Sequence, residues 1–198
     1  MGEDDLREYR AKRDFRKTSE PRGGESRRDG DAPRFVIQHH EASTDHYDLR
    51  LEVGGVLKSW AVPKGPSTDP SDKRLAMPTE DHPMDYRDFE GTISAGEYGA
   101  GTVLVWDTGT YENRTRHKGA EQSMSDGLER GHVSVWLHGE KLTGGYALTR
   151  FRTGKDEAWL LVKERDDRAG GGDPVRDEPD SALTGRDMEQ VAEEGDRL

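Results

Sequence analysis

Residues 40–50 read His-Glu-Ala-Ser-Thr-Asp-His-Tyr-Asp-Leu-Arg. Successive side chains of a strand point to opposite faces. A strand over 46–53 therefore sets His46, Asp48 and Arg50 in one row and Tyr47, Leu49, Leu51 and Val53 in the other. The second row suits a core. The first gathers an imidazole, a carboxylate and a guanidinium, with His40 just upstream. Two imidazoles and a carboxylate suit a catalytic divalent metal with open coordination positions, and an adjacent Arg suits an anionic substrate held there. As an isolated pattern these are equally ordinary surface residues; the alternation favours a site. His39 competes with His40, because strand alternation sends the two in opposite directions, and the pattern leaves the choice open.

Further candidates are weaker one by one. Lys64 sits in Trp60-Ala-Val-Pro-Lys-Gly-Pro66, a loop stiffened by two prolines. With Arg50 and Arg74 it would supply phosphate-binding cations. In Glu80-Asp-His-Pro-Met-Asp-Tyr86, His82 offers a proton and Tyr86 a hydroxyl donor, although a capped turn explains the same residues. The stretch Gly91–Gly101 is glycine-rich but lacks the Lys-Ser/Thr of a phosphate-binding P-loop. It reads as a structural loop, and no nucleotide cofactor is expected. Arg13, Asp14 and Glu20 lie in a mixed-charge arm that reads locally as solvated.

The elements that must position these residues are short. Runs at 35–40, 46–53, 56–62, 73–79, 101–106, 132–138, 145–151 and 157–163 are rich in Val, Ile, Trp, Tyr and Leu, which favours strands. Gly54-Gly55 marks a hairpin. The pattern predicts a mainly β fold: a compact antiparallel β-barrel with short peripheral helices and flexible termini. Residues 4–17 read as a short helix or an extended arm; a helix is expected over 121–130, and a small one, too short to be stable alone, within 184–194. The chain divides into an N-terminal arm (1–33), a barrel (34–165) and an acidic flexible tail or linker (166–198).

The chain has 198 residues, 30% hydrophobic and 36% charged, with no cysteine and a net charge of −11. Any metal must then be held by nitrogen and oxygen, which admits Mn²⁺, Zn²⁺ or another divalent transition ion. Residues 166–198 carry 4 basic and 11 acidic groups. An acidic chain argues against broad coating of nucleic acid, but not against recognition of an end by a local basic cluster. No window is long and apolar enough to span a membrane, and a cytoplasmic protein with no membrane partner is expected.

Taken together, Phe35–Glu52, Leu57–Ser67, Glu80–Tyr86, Phe89–Gly91 with Gly96–Val103, and Trp106-Asp107 resemble the 3′-phosphoesterase module of bacterial DNA ligase D and its stand-alone relatives. The resemblance runs from about Leu6 to Lys163. It implies a compact β-barrel and a manganese-dependent enzyme of DNA 3′ ends. Such an enzyme removes a 3′-terminal ribonucleoside to leave a 3′-phosphate, then removes the phosphate to leave a 3′-hydroxyl for end joining. It implies a metal triad of His40, His46 and Asp48, deciding for His40 over His39. It implies phosphate-binding and catalytic roles for Arg50, Lys64, Arg74, His82 and Tyr86, with Arg13, Asp14 and Glu20 contributed by the arm. Implied partners are DNA or DNA/RNA 3′ ends in a primer-template, and a DNA ligase, polymerase or Ku-type end-joining protein. The chain departs from the family in carrying Ser94-Ala95 where a Pro is usual. Residues Ser181–Glu189 resemble the segment joining this module to its neighbours. The rival reading is a non-catalytic DNA-end-binding or ligase-accessory module, which would have no need of the triad.

Overall fold

The computed structural model describes residues 5–24, 30 and 32–195. Parts of the expected arm and tail (1–4, 25–29, 31 and 196–198) lie outside the described residues. After a short helix α1 (Arg7–Ala11), four strands follow: β1 (Arg34–Glu41), β2 (His46–Val53), β3 (Val56–Val62) and β4 (Arg74–His82). A 3-10 turn at Met84–Asp88 leads to β5 (Gly91–Ile93) and the long β6 (Gly101–Asn113). A small ribbon of β7 (Arg116–His117) and β8 (Ala120–Glu121) precedes α2 (Met124–Arg130). The strands β9 (His132–Gly139), β10 (Thr143–Arg152) and β11 (Ala158–Lys163) complete the sheet. Two short helices end the chain, α3 (Pro174–Asp177) and α4 (Met188–Glu194).

The sheet order is β1-β2-β3-β4-β11-β10-β9-β6, and β6 pairs back onto β1, so the barrel is closed and antiparallel. Closure removes the exposed edges that an open sheet would present. The β2–β3 hairpin turns at Gly54 and Gly55, both with positive φ (63° and 85°), as a two-residue primed turn requires. Strand β6 runs well past the expected 101–106 because it changes partner, from β1 to β9, around Gly109. A Cβ there would stand 2.0 Å from the His138 carbonyl oxygen, so only glycine lets the two ladders meet. Helix α2 begins later than expected, where Ser123 caps the Asp126 N–H, and stops at left-handed Gly131. Strand β5 forms inside the glycine-rich stretch read as loop, paired with β6.

Alternation gives each strand two apolar destinations. Phe35, Ile37, Leu49, Leu51, Trp60, Leu104, Trp106 and Leu148 fill the barrel core. Val36, Leu57, Val103 and Val105 point outward and are covered by Tyr9, Met84, Tyr86, Phe89 and Ile93. The arm and the 83–93 segment thus form a second layer over one wall.

The segment after β11 makes contacts that composition did not foreshadow. The β1–β6 register shifts between Ile37 and Gln38, which pair with Asp107 and Val105 and leave Trp106 as the extra residue. The Val105 N–H is accepted by buried Glu90 (2.8 Å), and its carbonyl accepts from Ala182 N–H (2.9 Å). Glu90 also accepts from Ser181 and Thr184 and pairs with Arg186 at 3.2 Å. Val191 of α4 is fully buried, and an Asp187/Gln190 capping box starts that helix. No helix among the described residues is long and apolar enough to cross a membrane.

Candidate metal centre and phosphate cleft

The site lies on the outer face of the β1–β4 wall. Register puts His40 opposite His46, Gln38 opposite Asp48, Asp48 opposite Ala61, and Arg50 opposite Ser59. Cross-strand neighbours share a face, so the row His46, Asp48, Arg50 joins the row His40, Gln38, Val36 in one grid. His39 belongs to the opposite row. Its ring stacks on Tyr47 at 4.3 Å, and Nε2 meets Asp45 at 2.7 Å.

One ligand atom from each of His40, His46 and Asp48 falls within 4.8 Å of the others. Asp48 Oδ2 stands 3.3 Å from His46 Nε2 and 3.8 Å from His40 Nδ1. His46 Nδ1 lies 2.9 Å from the Thr44 carbonyl. That contact needs Nδ1–H as donor, leaving the Nε2 lone pair facing a carboxylate oxygen. Two lone pairs so close require a cation between them, a proton or a metal. The chemistry of the donor set therefore fits a divalent ion.

The ionisation states agree. Burial disfavours the Asp48 carboxylate, but Arg50, His46 and His40 outweigh it and hold its pKa below the usual range. Burial likewise opposes charge on His46, yet the Asp48 hydrogen bond and charge raise its pKa. Burial dominates at His40 and lowers it. Two cleft-lining polar atoms, His40 Nε2 and Thr79 Oγ1, are buried without a hydrogen-bond partner in the protein, which is uncommon for satisfied structural groups.

Arg50 is held at three points. Its guanidinium donates from Nε to Gln38 Oε1 (2.7 Å) and from Nη1 to Ser59 Oγ (2.9 Å), with Nη2 3.5 Å from Asp48. Gln38 is anchored in turn by its own N–H donors to the carbonyls of Tyr86 (2.8 Å) and Phe89 (3.0 Å). Neither Gln38 nor Ser59 was among the expected site residues. The available signal was Gln38 in the same strand row as His40, a polar residue within an apolar run.

A cleft of about 210 Å³ opens above this grid. Its lining includes Arg13, Arg50, Thr79, Glu80, His82 and Tyr98. Thr79, Glu80 and His82 share it although strict alternation forbids this. A register shift between β3 and β4 supplies the extra residue, since Ser59 pairs Thr79 while Leu57 pairs His82. His82 Nδ1–H donates to the Glu80 carbonyl at 2.8 Å, which leaves Nε2 as an acceptor. Burial, then Arg50 and Arg13, push the His82 pKa well below its ordinary value, so the imidazole is neutral. Tyr86 donates to Glu20 Oε2 at 2.7 Å. Burial first and Glu20 second hold its phenol well above the ordinary range.

The arm closes one side. Arg13 pairs with Glu20 (2.9 Å) and Glu80 (3.2 Å), and its Cζ lies 3.9 Å from the Tyr9 ring centroid. Lys12 reaches Glu80 at 3.2 Å. Asp14 is not brought to the cleft; it holds Arg16 through two contacts of 2.9 Å. Lys64 is exposed and does not line the cleft. Arg74 is also off it, with Nη2 3.7 Å from Asp72 and Nε buried without a partner. Glu80 and Tyr98, by contrast, were not expected in the site, because the bulge and the loop that present them follow no sequence period.

A family model described as the DNA ligase D 3′-phosphoesterase domain matches residues 38–150. The chain belongs to that family. It is 48% identical over 188 residues to the multifunctional non-homologous end joining protein LigD of Pseudomonas aeruginosa, covering 92% of this chain and 22% of that protein. It is 45% identical over 165 residues to the multifunctional non-homologous end joining DNA repair protein LigD of Mycobacterium tuberculosis, covering 83% and 21%. The chain thus spans about a fifth of the length of these relatives. The matched family segment runs from Gln38 into β10, and so takes in the candidate metal grid, β4 and the glycine-rich loop, but not the arm.

Proposed function

We propose that this chain is a divalent-metal-dependent phosphoesterase of DNA 3′ ends. It would remove 3′-terminal ribonucleosides and then 3′-phosphates to leave a hydroxyl for end joining. The observation that carries this reading is the convergence of His40, His46 and Asp48 beside an Arg50 fixed at three points. His40, His46 and Asp48 would hold the metal, with Mn²⁺ the first choice and Zn²⁺ the next. When bound, the ion would supply Lewis acidity and a template for a phosphate oxygen.

The protein's own groups then divide the work. Arg50 offsets negative charge on the phosphate oxygens, and because Gln38 and Ser59 already orient it, little reorganisation is needed as the substrate reacts. His82 enters neutral, with Nε2 accepting; a bound phosphate dianion would raise its proton affinity and allow it to shift a proton at the leaving oxygen. Tyr86, Glu20 and Arg13 form one hydrogen-bonded unit that fixes the arm over the wall, while Asp14 shapes the arm's turn. Lys64 and Arg74 follow the end of β3 and begin β4. We assign them to phosphates of the strand leading into the cleft rather than to the reacting group. A ligase, polymerase or Ku-type protein would supply or receive the processed end; the relatives' names themselves give only end joining.

The test is a primer-template with a labelled 3′-phosphate, incubated over a metal series and with chelator. Phosphate release with Mn²⁺ and none with chelator is expected. Binding of the same DNA without turnover under any metal would establish the accessory-module reading instead.

A further inference from the structure

We propose that Tyr98 is a stacking platform for the base of the 3′-terminal nucleotide, an inference that rests on the phosphoesterase reading of the same cleft. Of the large exposed apolar side chains among the described residues, Leu75, Tyr98, Phe151 and Leu183, only Tyr98 lines the cleft, with 46% of its surface exposed. Apart from Ala42, Ile93 and Gly99, the rest of the lining is polar or charged. An aromatic ring left open at such a mouth presents a flat apolar face that water solvates poorly.

The ring is held in place. Gly96 and Gly99 take positive φ (90° and 75°) on either side of it. Backbone turns join Glu97 N–H to the Ser94 carbonyl and Ala100 N–H to the Glu97 carbonyl, both at 3.1 Å. Lys17 pairs with Glu97 at 3.7 Å, tying the loop to the arm. The ring centroid lies 4.9 Å from Lys12 Nζ and 5.3 Å from Arg13 Cζ. The next residue, Gly99, is so close to the metal grid that a Cβ on it would lie 3.7 Å from His40 Cε1. A phosphate held at that grid therefore brings its own nucleoside beside Tyr98.

The competing role is a strut, with the Tyr98 hydroxyl supporting Glu80 and Lys12. Both of those contacts are 3.5 Å long, at the weak limit for a hydrogen bond. A strut also gives no reason for the ring to stay open to solvent. Stacking does, and it tolerates any base because each has a π-face. The platform and the two cations beside it would select a nucleotide-borne phosphate over a simple phosphate ester.

The test compares the parent chain, Tyr98→Leu and Tyr98→Phe on two 3′-phosphorylated primer-templates, one with a normal terminal nucleotide and one whose terminal nucleotide lacks its base. Tyr98→Leu is expected to raise KM on the normal primer about tenfold, the size of one base–aromatic stack, while Tyr98→Phe stays within about threefold of the parent. On the baseless primer the three proteins should converge. Equal KM for parent and Tyr98→Leu on the normal primer overturns the proposal. So does an equal loss on the baseless one, or a Tyr98→Phe as weak as Tyr98→Leu, which would make the hydroxyl the working part. Fluorescence anisotropy with the same DNAs reads these differences without turnover. A parent that binds with this Tyr98 dependence but releases no phosphate keeps the platform and overturns the phosphoesterase reading. A parent that turns over with no Tyr98 dependence does the reverse.

Discussion

The inner and outer faces of β1–β4 are built from alternate residues of the same strands, yet their chemistry is opposite. Inward, Phe35, Ile37, Leu49, Leu51 and Trp60 pack into a core, where each side chain contributes roughly 1.5–3 kcal/mol by leaving water. Outward, Gln38, His40, Asp48, Arg50 and Ser59 are equally buried, but they are paid for only through one another's hydrogen bonds and charges. Buried polar groups without partners are costly, so the outer face is a network in which each member holds the next. The inner face tolerates change by degrees; the outer face should fail in steps.

Four substitutions probe that difference. The largest effect is expected from Asp48→Ala, which removes the shared carboxylate of the metal grid. Metal-dependent phosphate release should fall by about 10³-fold, the scale of a lost metal-based charge stabilisation. Thermal denaturation should show the barrel still folded. Full activity in this variant would remove the metal assignment.

Next is Leu148→Ala, in the core on the far side of the barrel from the cleft. It should cost about 2–5 kcal/mol of stability, read from denaturant midpoints, with turnover per folded molecule close to the parent value. A selective loss of turnover would show that the two faces are coupled.

Gln38→Leu sharpens the same contrast. It keeps the volume but leaves Arg50 Nε and two carbonyls without their partner. A 10- to 100-fold loss of kcat is expected, about the range for supporting groups around a reactive centre, along with about 1–3 kcal/mol of stability. Loss of stability with kcat unchanged would make Gln38 a purely structural residue.

The smallest effect belongs to Lys64→Ala, outside the cleft. The slope of log KM against log salt should fall by about one, as for a single phosphate contact, with kcat retained. A collapse of kcat instead would mean that Lys64 reaches the reacting phosphate when substrate is bound.

These expectations separate what was readable from what was not. The barrel was readable because its strands alternate and its turns carry glycine, as at Gly54-Gly55. The metal grid was readable in part: His46, Asp48 and Arg50 form a local period-two row, and the resemblance chose His40. Register then explains that choice, by setting His40 directly opposite His46 and turning His39 onto Tyr47. The grouping of Lys64 and Arg74 with Arg50 came from charge type and the resemblance, and the structure sets both outside the cleft lining. Asp14, expected through the resemblance, holds Arg16 two residues on.

By itself, the amino-acid sequence determined the strand rows, the nitrogen and oxygen donor set imposed by the absence of cysteine, and the family, since each is local or additive along the chain. Only the tertiary structure decided which rows face one another, that the β4 bulge turns Thr79, Glu80 and His82 to one cleft, and that the arm seals it through Arg13, Glu20 and Tyr86. It also decided that the acidic tail, which the sequence reads as a flexible tail or linker, buries Arg186 against Glu90. The physical reason is common to all four. Cross-strand register, bulges and long-range ion pairs depend on the partner surface, and no period or composition within one segment records what that surface will be.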